Sequence, residues 1–589
     1  MGLYGTQILT SVMSITFLDF LQHVMPVGIF LNASRHLTAH PAQTTMPPMA
    51  SNNPGGHTRP GPTAVSVAAS SVSRFEPFAS AVLAGGLATM AILLRWRGSD
   101  LPAHFFRVGL VKRYGFEVWN NYWFAGHHTL GYGAMFPLLG AAVGIWTVAV
   151  ASAALSALLA DLLISAAIGH RNWPASLWFA FGTLTNVAVG RLPFALGLTI
   201  GRGALLAAQH RRMVPCLVLA AATATASPVV SVFLVIIFGA WALISVGRDR
   251  WLFAVAAAVA IVPVLVVSAL YPQGGMFPFR WTALLFTLLV CAAVVALVPA
   301  RERLVRVGAG LYALACVAAF VVPTPLGANI TRFGMYVAAP VLLATAPLRR
   351  IALGAMVAAI AWWQWSPAFD AIVRAGRDPS TSEAYYRPLL AFLESAHTQP
   401  ARVEVVPTKR HWESLFVALE VPIARGWERQ LDERFNPQFN QPGLTADGFR
   451  HWLLDWGVQY VALSDAPVDS SGEQEAVLIA GGLSFLRPVY SDAHWKVWEV
   501  IDATGLVDGP AQVVSLGIDT VTLNVLSRGD VLVRIHGSTF WNADPTTCIE
   551  TTPDGWIVLR DAHPGPLQLF LDETAFVPDT NHCPTPPPP

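Results

Sequence analysis

Long apolar runs separated by short polar turns fill about 290 residues between Pro77 and Trp365. They divide at 77–94, 145–168, 174–190, 191–208, 213–227, 228–246, 251–270, 282–299, 308–322, 327–347 and 351–365. A bilayer crossing takes roughly 20 apolar residues, and within hydrocarbon only a helix satisfies its own backbone. The pattern therefore predicts about eleven transmembrane helices. The apolar stretch Ala134–Gly144 would upset that count as a span of its own, and reads as a half-inserted or interfacial piece leading into 145–168.

Beyond Ser366 the pattern changes to that of a water-soluble chain. Helical periodicity at Ala384–Ser395 and Phe449–Trp456 alternates with strand-like runs at Arg402–Pro407, Gln459–Ser464 and near Trp495–Val500, which predicts an α/β unit over 367–505. Short alternating runs at Asp530–His536, Trp556–Leu559 and Leu567–Leu571 predict a small β-sandwich in 506–589, ending in a loose tail at Pro584–Pro589. Residues 1–73 read as a dispensable extension; its Pro-, Ser-, Thr- and Gly-rich run from Thr38 to Ser73 cannot bury enough apolar surface to fold. A start codon assigned too early is one explanation, with Met46 and Met49 as later starts.

Composition agrees with the membrane reading. Hydrophobic residues make up 54% of the 589 and charged residues 12%, well below the roughly 25% of soluble domains. A net charge of +1 gives no footprint for nucleic acid. Of five cysteines, Cys216, Cys291 and Cys316 lie in apolar segments as small hydrophobes. Cys548 and Cys583 lie in the polar part, and a location outside the cytoplasm would let them pair.

Basic residues choose the orientation, because short cytoplasmic loops are enriched in them. Arg171, Arg211, Arg212, Arg248, Arg250, Arg301, Arg303, Arg306, Arg349 and Arg350 all fall on one side of the count, which is then the cytoplasmic one. The loop Arg95–Gly133, the turns Tyr271–Arg280 and Pro323–Arg332, and everything after Ser366 are then exoplasmic. Arg95, Arg97, Arg107, Lys112 and Arg113 disagree with the rule, as a loop that binds something can.

Only five acids lie in the apolar half: Asp100, Glu117, Asp161, Asp249 and Glu302. Asp100 follows the first span, with His104 and Arg107 spaced to share a helix face with it. A carboxylate there could deprotonate a hydroxyl while a cation holds a lipid phosphate; equally, Asp100 could only cap the helix from Leu101, with Pro102 in its first turn. Glu117 is the other external acid. Arg280, Asn329 and Arg332 stand at external helix mouths, where an arginine either snorkels or binds an anion. Asp161, deep in its span, is expected to pair with Arg191, Arg202 or Asn186. Adjacent His127 and His128 diverge too much for a metal site, and Trp119, Tyr122, Trp123 and Phe124 read as an interfacial belt. Trp412 and Trp427 are expected to plug the seam between the membrane part and the C-terminal part. Gly-x-Ser-x-Gly, Cys-x-x-Cys, Walker and dinucleotide signatures do not occur in their required contexts, and nothing calls for a cofactor.

Asp100 at the start of a long first external loop, the Gly131-Tyr132…Pro137-Leu138 segment and about eleven spans together resemble the GT-C superfamily of membrane glycosyltransferases. Asp100-x3-His104-x2-Arg107 with Trp123-Phe124-x-Gly126 is similar to a bacterial membrane family known as 6-pyruvoyl-tetrahydropterin-synthase-related, and the whole arrangement to uncharacterised actinobacterial membrane proteins. The resemblance implies a multi-pass plasma-membrane enzyme with an exoplasmic C-terminal domain. Its partners would be a polyprenyl-phosphate sugar donor, an envelope glycan or lipid acceptor and the surrounding lipid. It further implies Asp100 as base with Glu117 as rival, and His104, Arg107, Arg280, Asn329 and Arg332 as substrate ligands. Paired acids common in that superfamily are absent, since Ser99 precedes Asp100, so no metal is expected. An envelope-lipid transporter or flippase and a non-catalytic scaffold are the other classes; the internal duplication usual in carriers is not evident.

Overall fold

The computed structural model describes residues 65–346, 350–396, 400–544, 547–572 and Cys583. The extension before residue 65 and the tail Pro584–Pro589 lie outside them. Contacts divide the chain into Met1–Ala79 and Ser80–Pro589, and every described element except the first part of the first helix belongs to the second unit.

The apolar half is helical. After α1 (Val65–Leu93) come α2 (Leu101–Tyr114), a two-strand ribbon of β1 (Trp119–Asn120) and β2 (His127–His128), and α3 (Met135–Val143). Ten more helices follow: α4 (Ile145–Ile168), α5 (Trp173–Val189), α6 (Leu192–Gln209), α7 (Met213–Ala226), α8 (Pro228–Ile244), α9 (Gly247–Leu270), α10 (Trp281–Leu297), α11 (Arg303–Val321), α12 (Arg332–Thr345) and α13 (Arg350–Val373). Each of the eleven apolar segments falls largely on one helix. Four, α4, α6, α9 and α11, are long and apolar enough to cross a membrane, and Phe78–Leu93, α7, α8 and α10 are shorter apolar helices.

One detail differs from the sequence reading. α1 starts at Val65, inside the stretch expected to be disordered: Val65–Ser73 holds neither Pro nor Gly, so nothing there stops a helix propagating back from the span. Met135–Val143 is a helix in its own right, because Gly144 at φ +92° breaks the chain before α4.

The remainder is built on sheets. After α14 (Glu383–Ala396), β3 (Arg402–Val405), α15 (Glu413–Phe416), α16 (Arg429–Phe435), α17 (Pro437–Asn440), α18 (Ala446–Asp455), β4 (Val458–Ser464), α19 (Glu473–Ala480), β5 (Leu486–Ser491) and β6 (Trp495–Val500) form the α/β part. Its sheet runs β3-β4-β6-β5, with β3 and β4 parallel and the rest antiparallel. β7 (Val507–Asp508), β8 (Ala511–Leu516), β9 (Thr520–Val525), β10 (Gly529–His536), β11 (Trp541–Asn542), β12 (Cys548–Thr551), β13 (Trp556–Ala562) and β14 (Gly565–Leu571) make two four-stranded sheets, β12-β13-β10-β7 and β11-β14-β9-β8. Val531, Val533 and Ile535 on β10 (Gly529–His536) alternate inward against Leu523, Leu567 and Leu569. Cys548, which opens β12 (Cys548–Thr551), is bonded to Cys583.

The first loop is buried between these parts. Phe106 stacks on Trp123 at 4.2 Å in a core that continues into Val403, Trp412 and Leu415, while Trp119 meets Trp541 edge-on in the sandwich core. Backbone bonds fix the same stretch: Asn121 N–H donates to Ile518 O, His536 N–H to Ala125 O and Ile423 N–H to Tyr122 O, at 2.8–2.9 Å. Trp119, Trp123 and Phe124 are therefore core residues, not a lipid belt. Trp412, buried beside Phe105 and under Arg97, fills the expected seam.

Candidate active site

Small residues bring Asp100 to its place. Gly98 lies so close to the end of α5 that an added Cβ would fall 2.3 Å from Val189 O, and one on Gly190 would fall 2.6 Å from Leu101 N. Neither approach tolerates a side chain. The Asp100 N–H donates to Val189 O at 3.2 Å, pinning the turn against α5. Asp100 does occupy the N-cap of α2 with a Pro in the first turn, as the plainer sequence reading has it, yet its carboxylate makes no capping bond. That carboxylate is instead 23% exposed, takes a 3.3 Å bond from Ser99 Oγ and faces Arg191 Nε at 3.8 Å.

Around it gather Arg107, Tyr132, Arg191, Arg332 and Glu428. The charges of Asp100, Arg332, Glu428 and Arg107 all act on the Tyr132 hydroxyl, whose pKa is raised to about 12, by burial first and by Asp100 next. The Arg107 guanidinium lies over the Tyr132 ring at 4.4 Å and gives one nitrogen, Nη2, to Glu428 at 2.5 Å. Its Nε and Nη1 are buried without a partner. Arg332 lies over Phe194 at 5.3 Å, and among the described residues no carboxylate is within ion-pair distance of it. Desolvating a cation is expensive unless an anion compensates. This cluster has unused cationic donors and so suits an incoming anion such as a phosphate. Burial raises the Glu428 carboxyl, against the pull of Arg107.

His104, buried against Tyr132 and Phe136, has a pKa well below the usual imidazole value through burial, then through Arg107 and Arg332. It therefore carries no charge at pH 7. Asn329 is buried in the turn Gly327–Thr331 that leads into Arg332. Arg280 is exposed at the start of α10, and among the described residues no ion pair, hydrogen bond or ring contact links its side chain to Asp100 or Arg332. Glu117 lies beyond the far end of α2, whose 14 residues span about 21 Å. Its backbone oxygen accepts from Thr129 Oγ1.

Asp161 does not pair with Arg191, Arg202 or Asn186. It meets Arg171 at 2.6 Å and accepts from Ser176 Oγ at 2.5 Å, across the short turn between α4 and α5. Arg202 bonds Ser156, and Asn186 accepts from Tyr336. His127 and His128, adjacent on a strand, point to opposite faces. Burial lowers them to about 3 and about 4, and aromatic rings surround both. Among the described residues no group of three or more His, Cys, Asp or Glu is placed to hold a metal ion.

Three of the five loop cations at odds with the topology rule have partners in the C-terminal part. Arg107 pairs with Glu428, Arg113 with Glu420 at 2.6 Å, and Arg97 donates to Thr381 O. Sequence reasoning gave Arg191 a pairing role within the bundle, quoted Tyr132 only as part of a motif and assigned Glu428 no role. Glu428 follows Trp427, and its partner Arg107 is 321 positions away.

Neither a protein-family model nor a curated protein matches the chain. Among solved structures it is similar to the Archaeoglobus fulgidus oligosaccharyltransferase tethered through a disulfide to an acceptor peptide containing the NVT sequon. The likeness has 12% identity and a TM-score of 0.38, and covers 67% of this chain and 69% of that one. It is too distant to carry a fold or an activity across.

Proposed function

We propose that this chain is a membrane glycosyltransferase that moves a sugar from a polyprenyl-phosphate donor to an envelope glycan or glycolipid on the exoplasmic face. The observation that carries the reading is a partly exposed carboxylate, spent on no cap, next to arginines with unused donors. In the reaction Asp100 takes the proton of the acceptor hydroxyl as its oxygen bonds to the anomeric carbon. The bond from that carbon to the phosphate oxygen breaks, and Arg332 and the free edge of Arg107 hold that phosphate alike in the donor and in the departing lipid. Tyr132 and His104 stay neutral and orient the reacting groups. The acceptor enters beside Glu428, from the part after Ser366. The Cys548–Cys583 bond suits an exoplasmic position for that part, since the cytoplasm keeps thiols reduced.

The test is transfer of radiolabelled sugar from a lipid-phosphate donor in membranes holding the wild-type protein or Asp100→Asn at matched level. Wild-type transfer that the variant lacks supports the reading. Lipid movement across protein-containing vesicles, with no sugar transfer, would replace it with a carrier.

A further inference from the structure

A second site lies at the opposite, arginine-rich ends of the helices. A cavity of about 1090 Å³ opens among α4, α6, α8, α9, α11 and α12, larger than the roughly 300–1,000 Å³ of ordinary small-molecule pockets. Its wall follows α12 from Phe333 to Thr345, a depth of about 18 Å at the rise of a helix. Leu163, Ile164, Ile237, Leu252, Phe253 and Val341 make that wall apolar. The one cation deep within, Arg202, is occupied: it donates to Ser156 O at 3.1 Å and to the Ser156 hydroxyl, and covers the Phe179 ring at 4.6 Å.

The rim has the opposite character. Arg211 and Arg248 line it together with Asp249 and Glu302. Asp249 is neutralised by Arg211 at 3.2 Å and Glu302 by Arg301 at 3.3 Å. Among the described residues nothing pairs with Arg248, and Arg212, Arg250, Arg303 and Arg306 follow within a few positions of the rim. The mouth therefore has a surplus of positive charge over a deep, mainly apolar slot. A basic pocket between transmembrane helices is the arrangement that holds an anionic lipid head.

We propose that this cavity is a binding site for an anionic phospholipid, its phosphate at Arg211 and Arg248 and its acyl chains along α4 and α12. The site is separate from Asp100, and the proposal does not depend on sugar transfer. The full-length protein, stripped of lipid in detergent, is titrated with phosphatidylglycerol and with phosphatidylcholine of the same chains, reading retained lipid by native mass spectrometry and stability by thermal unfolding. Phosphatidylglycerol should be retained and should raise Tm, and phosphatidylcholine should do neither. The double variant Arg211→Gln, Arg248→Gln should bind phosphatidylglycerol roughly 30-fold more weakly, as two lost arginine contacts imply, with its lipid-free Tm unchanged. Ala167→Trp, which fills an open part of the wall and leaves every arginine in place, should abolish retention. Equal responses to the two lipids, or wild-type retention by Ala167→Trp or by the double variant, would overturn the site.

Discussion

Arg425 and Arg107 are both buried arginines, and the difference between their surroundings separates structure from chemistry. Arg425 spends its donors fully. Nε and Nη2 make a two-pronged contact with Asp432 at 2.9 Å each, and Nη1 reaches Glu475 at 2.8 Å with Ser471 O close by. Asp432 in turn accepts from Asn436 and Asn440. Arg107 spends one nitrogen on Glu428 and keeps two buried and unused, beside Arg332, which among the described residues has no acid within pairing distance. A closed network fixes how the α/β part packs. An open one of the same residue types keeps donors in readiness for an anion.

If that contrast holds, breaking the closed network costs stability and breaking the open one costs activity. The largest effect is expected at Arg425. Arg425→Met leaves the Asp432 carboxylate buried without its cation and Glu475 without its donor, and should destabilise by about 3–5 kcal/mol, seen as a large fall in the thermal midpoint in detergent. Next comes Asp100→Asn. Loss of a positioned proton acceptor should slow sugar transfer roughly 100-fold, about 2.7 kcal/mol of barrier, with the thermal midpoint unmoved. Glu117→Gln, beyond the far end of α2, should transfer as wild type. An inactive Glu117→Gln beside an active Asp100→Asn would reassign the base.

The third effect is on binding. Arg332→Ala should raise the donor KM about 10-fold while kcat falls much less, because it removes a charge that attracts phosphate and not the group that takes the proton. A fall in kcat alone would place Arg332 in the transition state only.

The fourth effect concerns pH and belongs to the closed network. One guanidinium cannot balance three carboxylates in a dry site. Asp432, held below its usual value by Arg425 despite burial, bears the charge. Glu404 and Glu475 stay protonated: burial raises Glu404 well above the carboxylate range and Glu475 to about 8. An unfolded Glu475 releases its proton near 4.5. Between about 4.5 and 8 the folded form holds a proton that the unfolded form has lost, so this group's contribution to stability declines as pH rises through that window. Glu475→Gln has no proton to release and should flatten the decline by about 1.4 kcal/mol per pH unit at most within that window. An unchanged slope would mean that Glu475 is ionised in the fold.

Local pattern carried the helices and failed where partners are distant. Each of the eleven apolar segments falls largely on one helix because an apolar run of that length is a local signal. The strands Gln459–Ser464 and Trp495–Val500 were legible for the same reason. Glu428 gave no local signal, since its role here depends on a helix 321 positions earlier. The aromatics at 119–124 misled because a lipid belt and a domain seam ask for the same side chains, large rings with one polar atom; only the covering surface tells them apart. Asp161 was matched to arginines on a neighbouring helix face, whereas the turn after α4 returns Arg171 to it at shorter range.

The smallest effect tests how far the open network reaches. Sequence position alone made Arg280 equivalent to Arg332, each an arginine at an external helix mouth. Their surroundings are unlike. Arg332 is half-buried over Phe194 and its charge acts on Tyr132, while Arg280 is exposed at the start of α10. An exposed cation acts across water, where high dielectric and salt leave little of its attraction beyond about 10 Å. Arg280→Ala should therefore change donor KM less than twofold at physiological salt, with a somewhat larger change at low ionic strength. A rise in KM matching that of Arg332→Ala, and persisting in high salt, would show direct contact with the donor and extend the phosphate site to the turn Tyr271–Arg280.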